Sequence, residues 1–89
     1  MKLCFLSGLR EIVGQEEVEF EFEGRLSELL ETLCERHGQE LRRLLLDPED
    51  PGRKSPFVKI LVDGEDAGKA DPELRGGETI FLFLPIAGG

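Results

Sequence analysis

Between Glu17 and Glu23 every second position is apolar: Val18, Phe20 and Phe22 point one way, and Glu17, Glu19, Glu21 and Glu23 the other. A period of two predicts a half-buried strand whose acidic face meets water and resists mispairing at a sheet edge. Before it, Lys2 to Ser7 reads as a first strand, with Leu3 and Phe5 on one side and Cys4 and Leu6 on the other. Gly8 to Gln15, closed by Gly14, reads as a turn region. After Gly24 the period changes. Leu26, Leu29, Leu30, Leu33, Cys34 and His37 recur at helical spacing and predict an amphipathic helix packed on a sheet. Ser27 or the residues just before it supply the start, and Gly38 stands where a left-handed cap belongs. Leu41, Leu44 and Leu45 predict a shorter helix ending before Asp47-Pro48. Asp47 to Pro56 holds three of the five prolines and reads as a surface loop, the most mobile part of the chain. Phe57 to Asp63 is a third strand with Val58, Ile60 and Val62 toward the core, followed by an Asp63-Gly64 turn. Ala70 to Gly77 is a turn-rich connection with room for one short helical turn, and Thr79 to Leu84 is the last strand.

This order is an α+β arrangement with one helical layer. The last strand is apolar on both parities, Ile80, Leu82 and Leu84 against Phe81 and Phe83, which normally means burial on both faces. The chain has helix enough to cover only one. Cys4, Leu6, Phe57, Leu61, Phe81 and Phe83 would then share an uncovered apolar face, the kind of patch that marks a protein contact. The alternative is that Asp47–Pro56 folds over that face.

Composition narrows the function classes. At 89 residues there is room for one domain, residues 1–89, and one core. A formal net charge of -8 argues against nucleic acid and against an anionic membrane surface, both of which need a basic footprint. It leaves a basic protein as the natural electrostatic complement. The apolar stretch Leu3–Leu6 is too short for a signal core or a membrane span, so the expected compartment is the cytosol. Cys4 and Cys34 are too few for a secreted disulfide scaffold, and a single His with no paired Cys motif offers no metal-ligand set.

The chain ends on Pro85-Ile86-Ala87-Gly88-Gly89, directly after the last strand. Such an arm presents the Gly89 carboxylate on a tip without side chains, able to enter a slot where a Cβ would clash. Five residues reach at most roughly 16–18 Å, enough to enter another protein's active site. The plain alternative is a frayed terminus.

Five segments together resemble one family along the whole chain: Phe5-Leu6-Ser7-Gly8-Leu9-Arg10-Glu11-Ile12-Val13-Gly14, the helix Leu26–Gly38, Val62-Asp63-Gly64-Glu65, Leu74-Arg75-Gly76-Gly77-Glu78-Thr79-Ile80 and the closing Pro85-Ile86-Ala87-Gly88-Gly89. The family is the MoaD/ThiS group of ubiquitin-like sulfur carriers, and the resemblance is to its MoaD type, the small subunit of molybdopterin synthase. It implies a β-grasp fold. It also implies that a MoeB-type adenylating protein activates the Gly89 carboxylate with ATP, and that sulfur then replaces AMP to give a thiocarboxylate. The tail would next enter a MoaE-type large subunit and give its sulfur to cyclic pyranopterin monophosphate. By position, Phe83, with Phe81 beside it, matches the apolar face that relatives use for both partners, and Pro85 would stiffen the departing tail, with Ile86 following it. Leu84 departs from the family, where a second proline is common. The chain would bind no permanent cofactor, ATP being used by the activating partner.

Other residues carry plainer readings. Cys34 falls on the apolar helix stripe and Cys4 on an interface or core face, so both read as packing residues. His37 reads as a partner of the helix dipole, and Gly64, Gly76 and Gly77 as turn glycines. Arg10 and Glu11 fit the family pattern and a structural salt bridge equally well. A carrier for another thio-cofactor such as thiamine, a ubiquitin-like modifier that conjugates to lysines, and an interaction domain without terminal chemistry are the alternatives.

Overall fold

In the computed structural model, which describes residues 1–6, 8–68 and 70–84, strand β1 (Lys2–Phe5) leads into a short helix α1 (Gly8–Val13). Strand β2 (Glu17–Glu19) returns antiparallel to β1. Strand β3 (Gly24–Arg25) precedes the long helix α2 (Leu26–His37) and the shorter α3 (Gln39–Leu45). A hairpin, β4 (Leu46–Asp47) with β5 (Asp50–Lys54), follows. Strands β6 (Lys59–Val62), β7 (Glu65–Asp66), β8 (Glu73–Leu74) and β9 (Thr79–Phe83) complete the described chain. The tail readings on Pro85, Ile86, Gly88 and Gly89 lie outside the described residues.

The main sheet runs β2-β1-β9-β6-β7, with β1 and β9 parallel at its centre and every other pair antiparallel. The last strand is thus flanked on both sides. Register lines up one apolar row, Leu3 with Ile80 and Phe5 with Leu82 on one side, and Ile60 with Leu82 on the other. All five residues are at most 1% exposed. Leu26, Leu29, Leu30, Leu33 and Cys34 of α2 cover that row, joined by Leu9, Leu41 and Leu45. Burying side chains of this size contributes about 1.5–3 kcal/mol each.

Several boundaries differ from the sequence reading. Gly8–Gln15 is not simply a turn: Leu9 is fully buried, and that one deep anchor holds six residues as helix. The alternating segment is strand only to Glu19, at the sheet edge as its glutamates predict, because Lys2, which pairs with Glu19, is the first residue of β1. Asp47–Pro56 is a hairpin with an irregular register between Leu46 and Asp47, not an unstructured loop. Residues 70–77 hold no helical turn but the short β8, paired with β3. Gly38 has φ 91° and ψ -168°, a positive φ as expected but an extended rather than left-handed ψ. That geometry ends α2 and starts α3 within one residue. A side chain there would be strained.

The start of α2 is capped from far along the chain. Arg25, at the cap position, has no acceptor to offer; instead its N–H donates to Glu28 Oε1 at 2.9 Å. Asp71 accepts the Ser27 N–H and the Ser27 hydroxyl, each at 2.7 Å, and the Leu26 N–H donates to the Pro72 carbonyl at 3.0 Å. A carboxylate at this end also suits the helix dipole. Asp71→Ala should therefore lower stability by about 1 kcal/mol, seen as a lower urea midpoint at unchanged slope. No helix among the described residues is long and apolar enough to cross a membrane.

Candidate functional site

Among the described residues no helix packs on the opposite face of the sheet. Its central row runs from Asp66 to Leu61, Phe81, Cys4 and Glu17 across four pairings. Beside it Phe83 lies opposite Lys59, and the Leu6 N–H donates to the Leu82 carbonyl at 3.0 Å, extending the ladder one residue past β1. Leu6, Leu61, Phe81 and Phe83 are partly buried. None of them is among the partly buried apolar residues that pack on the main core. The expected alternative cover does not occur, because β5 of the 47–56 segment packs against α2, and a cavity of about 820 Å³ lies between them and reaches the sheet edge at Lys59 and Asp66.

Four of the predicted residues, Leu6, Leu61, Phe81 and Phe83, thus share one face. Phe57 stands just beyond its end, on the turn before β6, with 77% of its surface exposed. Two features of the face were not read from sequence. Lys59 Nζ and Asp66 Oδ2 pair at 3.3 Å on one border, and Lys2 Nζ and Glu17 Oε1 at 3.7 Å on the other. They bracket the stripe with charge, an apolar centre inside a polar rim. Strand register alone brings these pairs together, and only the alternation around Glu17 hinted at it. In water such pairs add little stability.

The entry to β9 is held tightly. The Glu78 carboxylate accepts the Arg75 N–H at 2.7 Å and the Gly76 N–H at 2.9 Å, while its carbonyl accepts the Lys2 N–H at 3.0 Å. Asp63 Oδ1 accepts the Thr79 N–H at 2.9 Å. The main-chain N–H bonds, the Arg75 one foremost, hold the Glu78 carboxyl below the usual carboxylate range. A lowered folded-state value means that this stabilisation is present above the unfolded value of about 4.3 and lost as pH falls through the folded one. In urea titrations the stability gap between the wild type and Glu78→Gln should be constant near neutral pH and close progressively below about pH 4.

Neither thiol fits a role as sulfur carrier. Cys4 is 7% exposed and Cys34 1% exposed. Burial first, and then Glu17, pushes the Cys4 thiol up, and burial pushes Cys34 up to about 11. Sulfur chemistry needs the thiolate, so both are poorly suited as nucleophiles near neutral pH. Cys34 packs in the core as its helical spacing predicts. Among the described residues no group of three or more His, Cys, Asp or Glu is placed to hold a metal ion.

Solved structures share this architecture. The HVO 2177 protein of Haloferax volcanii superposes with a TM-score of 0.79 at 26% identity, over 99% of this chain and 84% of that one. A protein of Pyrococcus furiosus, provisionally named molybdopterin converting factor, subunit 1, gives a TM-score of 0.65 at 25% identity, over 96% and 95%. The small archaeal modifier protein 1 of Methanosarcina acetivorans gives 0.77 at 19% identity, over 99% and 94%, a likeness of fold alone. Among curated proteins none matches the chain. The family comparison is decisive: residues 4–89 match the ThiS family, so this β-grasp chain belongs to the MoaD/ThiS group of ubiquitin-like sulfur carriers.

Proposed function

We propose that this chain is the sulfur-carrier small subunit of a molybdopterin synthase. The observation that carries the reading is the stripe of Leu6, Leu61, Phe81 and Phe83, whose two phenylalanines lie on the strand that leads into Pro85-Ile86-Ala87-Gly88-Gly89. A docking face adjoins a tail without bulky side chains at its tip. The likeness to the Pyrococcus furiosus protein, named as subunit 1 of a molybdopterin converting factor, supports the molybdopterin reading.

The chemistry follows from the functional group. A carboxylate is a poor electrophile, so Gly89 must first acquire a leaving group. On a MoeB-type partner the carboxylate oxygen attacks the α-phosphate of ATP, giving the acyl adenylate and releasing pyrophosphate. Hydrosulfide supplied by a sulfur donor then attacks the acyl carbon and expels AMP, leaving a C-terminal thiocarboxylate. That group is a good nucleophile near neutral pH. In the active site of a MoaE-type large subunit it would transfer sulfur to cyclic pyranopterin monophosphate. Gly88 and Gly89 keep the tip narrow enough for that passage. Leu6, Leu61, Phe81 and Phe83, with Phe57, Pro85 and Ile86 nearby in the chain, would seat the two partners in turn. The chain brings the reacting group and no acid, base or metal.

Reconstitution tests this. The thiocarboxylated chain, mixed with a MoaE-type subunit and cyclic pyranopterin monophosphate, should yield molybdopterin, read as its fluorescent oxidation product. If the thiocarboxylate forms but no molybdopterin appears, while an authentic small subunit works in the same assay, the synthase reading fails. A carrier for another thio-cofactor, such as thiamine, would then take its place.

A further inference from the structure

A single exposed phenylalanine ordinarily needs no explanation. Phe57, however, sits on a rigid mount. Ser55 and Val58 close a four-residue turn through the Val58 N–H to the Ser55 carbonyl at 3.3 Å, with Pro56 and Phe57 at its tip. Proline at the second position of such a turn pre-sets the backbone. Ser55 is the one buried polar residue among those described, 3% exposed. Its N–H donates to the Leu45 carbonyl at 2.8 Å, and its hydroxyl accepts the Phe57 N–H at 3.1 Å. Lys54 Nζ spans the turn, donating to the Ser55 carbonyl at 3.3 Å and the Val58 carbonyl at 3.0 Å. Val58, the next residue, is 1% exposed. Phe57 therefore cannot fold inward without drawing Val58 out of the core. Lys54, Ser55, Pro56 and Val58 together hold an aromatic ring in water, where it contributes almost nothing to folding.

Its position gives the ring a use. Phe57 lies two residues before Lys59, and Lys59 is opposite Phe83, so the turn stands at the end of the sheet where β9 finishes. A protein that covers Leu6 and Phe83 therefore meets this turn at the border of the same face. Resting on the synthase reading above, we propose that Phe57 is an anchor for the tail-accepting large subunit, entering an apolar pocket at the mouth of the channel that takes the tail. Two points of attachment, the sheet stripe and this turn, fix the angle at which the chain's end enters. Exposed aromatic side chains on rigid mounts lose little entropy on docking, which makes them efficient anchors.

Calorimetric titration of the MoaE-type subunit with Phe57→Ala tests the proposal. Affinity should fall about tenfold or more, with the thermal midpoint unchanged because the side chain is 77% exposed. As an independent readout, p-benzoylphenylalanine placed at position 57 should crosslink to the large subunit on irradiation. Wild-type binding matched within about twofold by Phe57→Ala, or no crosslink from position 57, would overturn the anchor while leaving the synthase reading intact. Absence of binding by the wild type itself would overturn both.

Discussion

Phe83→Ala should weaken binding to the tail-accepting subunit by about 30- to 1,000-fold, the range of a central aromatic anchor. Phe83 and Phe81 point away from the helices, on the last strand before the tail. Phe83 is the last residue of that strand. Because Phe83 does not pack on the main core, the loss should be larger in affinity than in stability. Calorimetry with the large subunit, beside a urea titration of the free chain, separates the two. An affinity within about threefold of wild type would remove the uncovered face from the account.

Leu82→Ala, one residue earlier, should do the reverse. Leu82 is fully buried and lies between Phe5 and Ile60 in the register of the sheet. Deleting three buried carbons there leaves a cavity between sheet and helices and should cost about 2–5 kcal/mol. Against a total of about 5–15 kcal/mol, that is a large share of the fold. The thermal midpoint should drop by at least about 10 °C. Binding by the fraction that remains folded should be close to normal. A midpoint shift of less than about 3 °C would mean that the site collapses around the smaller side chain and that β9 is not the centre of the core.

Neighbouring residues on one strand with opposite consequences explain what could be read from the sequence. The parity of Ile80-Phe81-Leu82-Phe83 and the helical spacing from Leu26 to Cys34 are local patterns, and the fold honours both. The candidate face followed from counting layers: one long helix cannot cover two sides of a sheet. What escaped was short or distant. α1 depends on one buried leucine, Leu9, inside a segment rich in turn residues. The hairpin at 46–54 has too few residues per strand to show a period. β3 and β8 have two residues each, and they pair Gly24 with Leu74 and Arg25 with Glu73, 50 and 48 positions apart, which only tertiary packing brings together. The caps are equally remote, since Asp71 serves Ser27 across 44 positions. The ion pairs that border the docking face need strand register, which no local pattern supplies. Ser55, whose hydroxyl holds the Phe57 turn, reads in the sequence as an ordinary loop serine.

The central claim is that the Gly89 carboxylate carries sulfur. It is tested most directly by the intact mass of the chain after incubation with a MoeB-type activating enzyme, ATP and a sulfur source. The account predicts a shift corresponding to one oxygen replaced by sulfur, absent when Gly89 is deleted and absent without ATP. An unchanged mass, with an activating enzyme that thiocarboxylates another carrier in the same reaction, would contradict it.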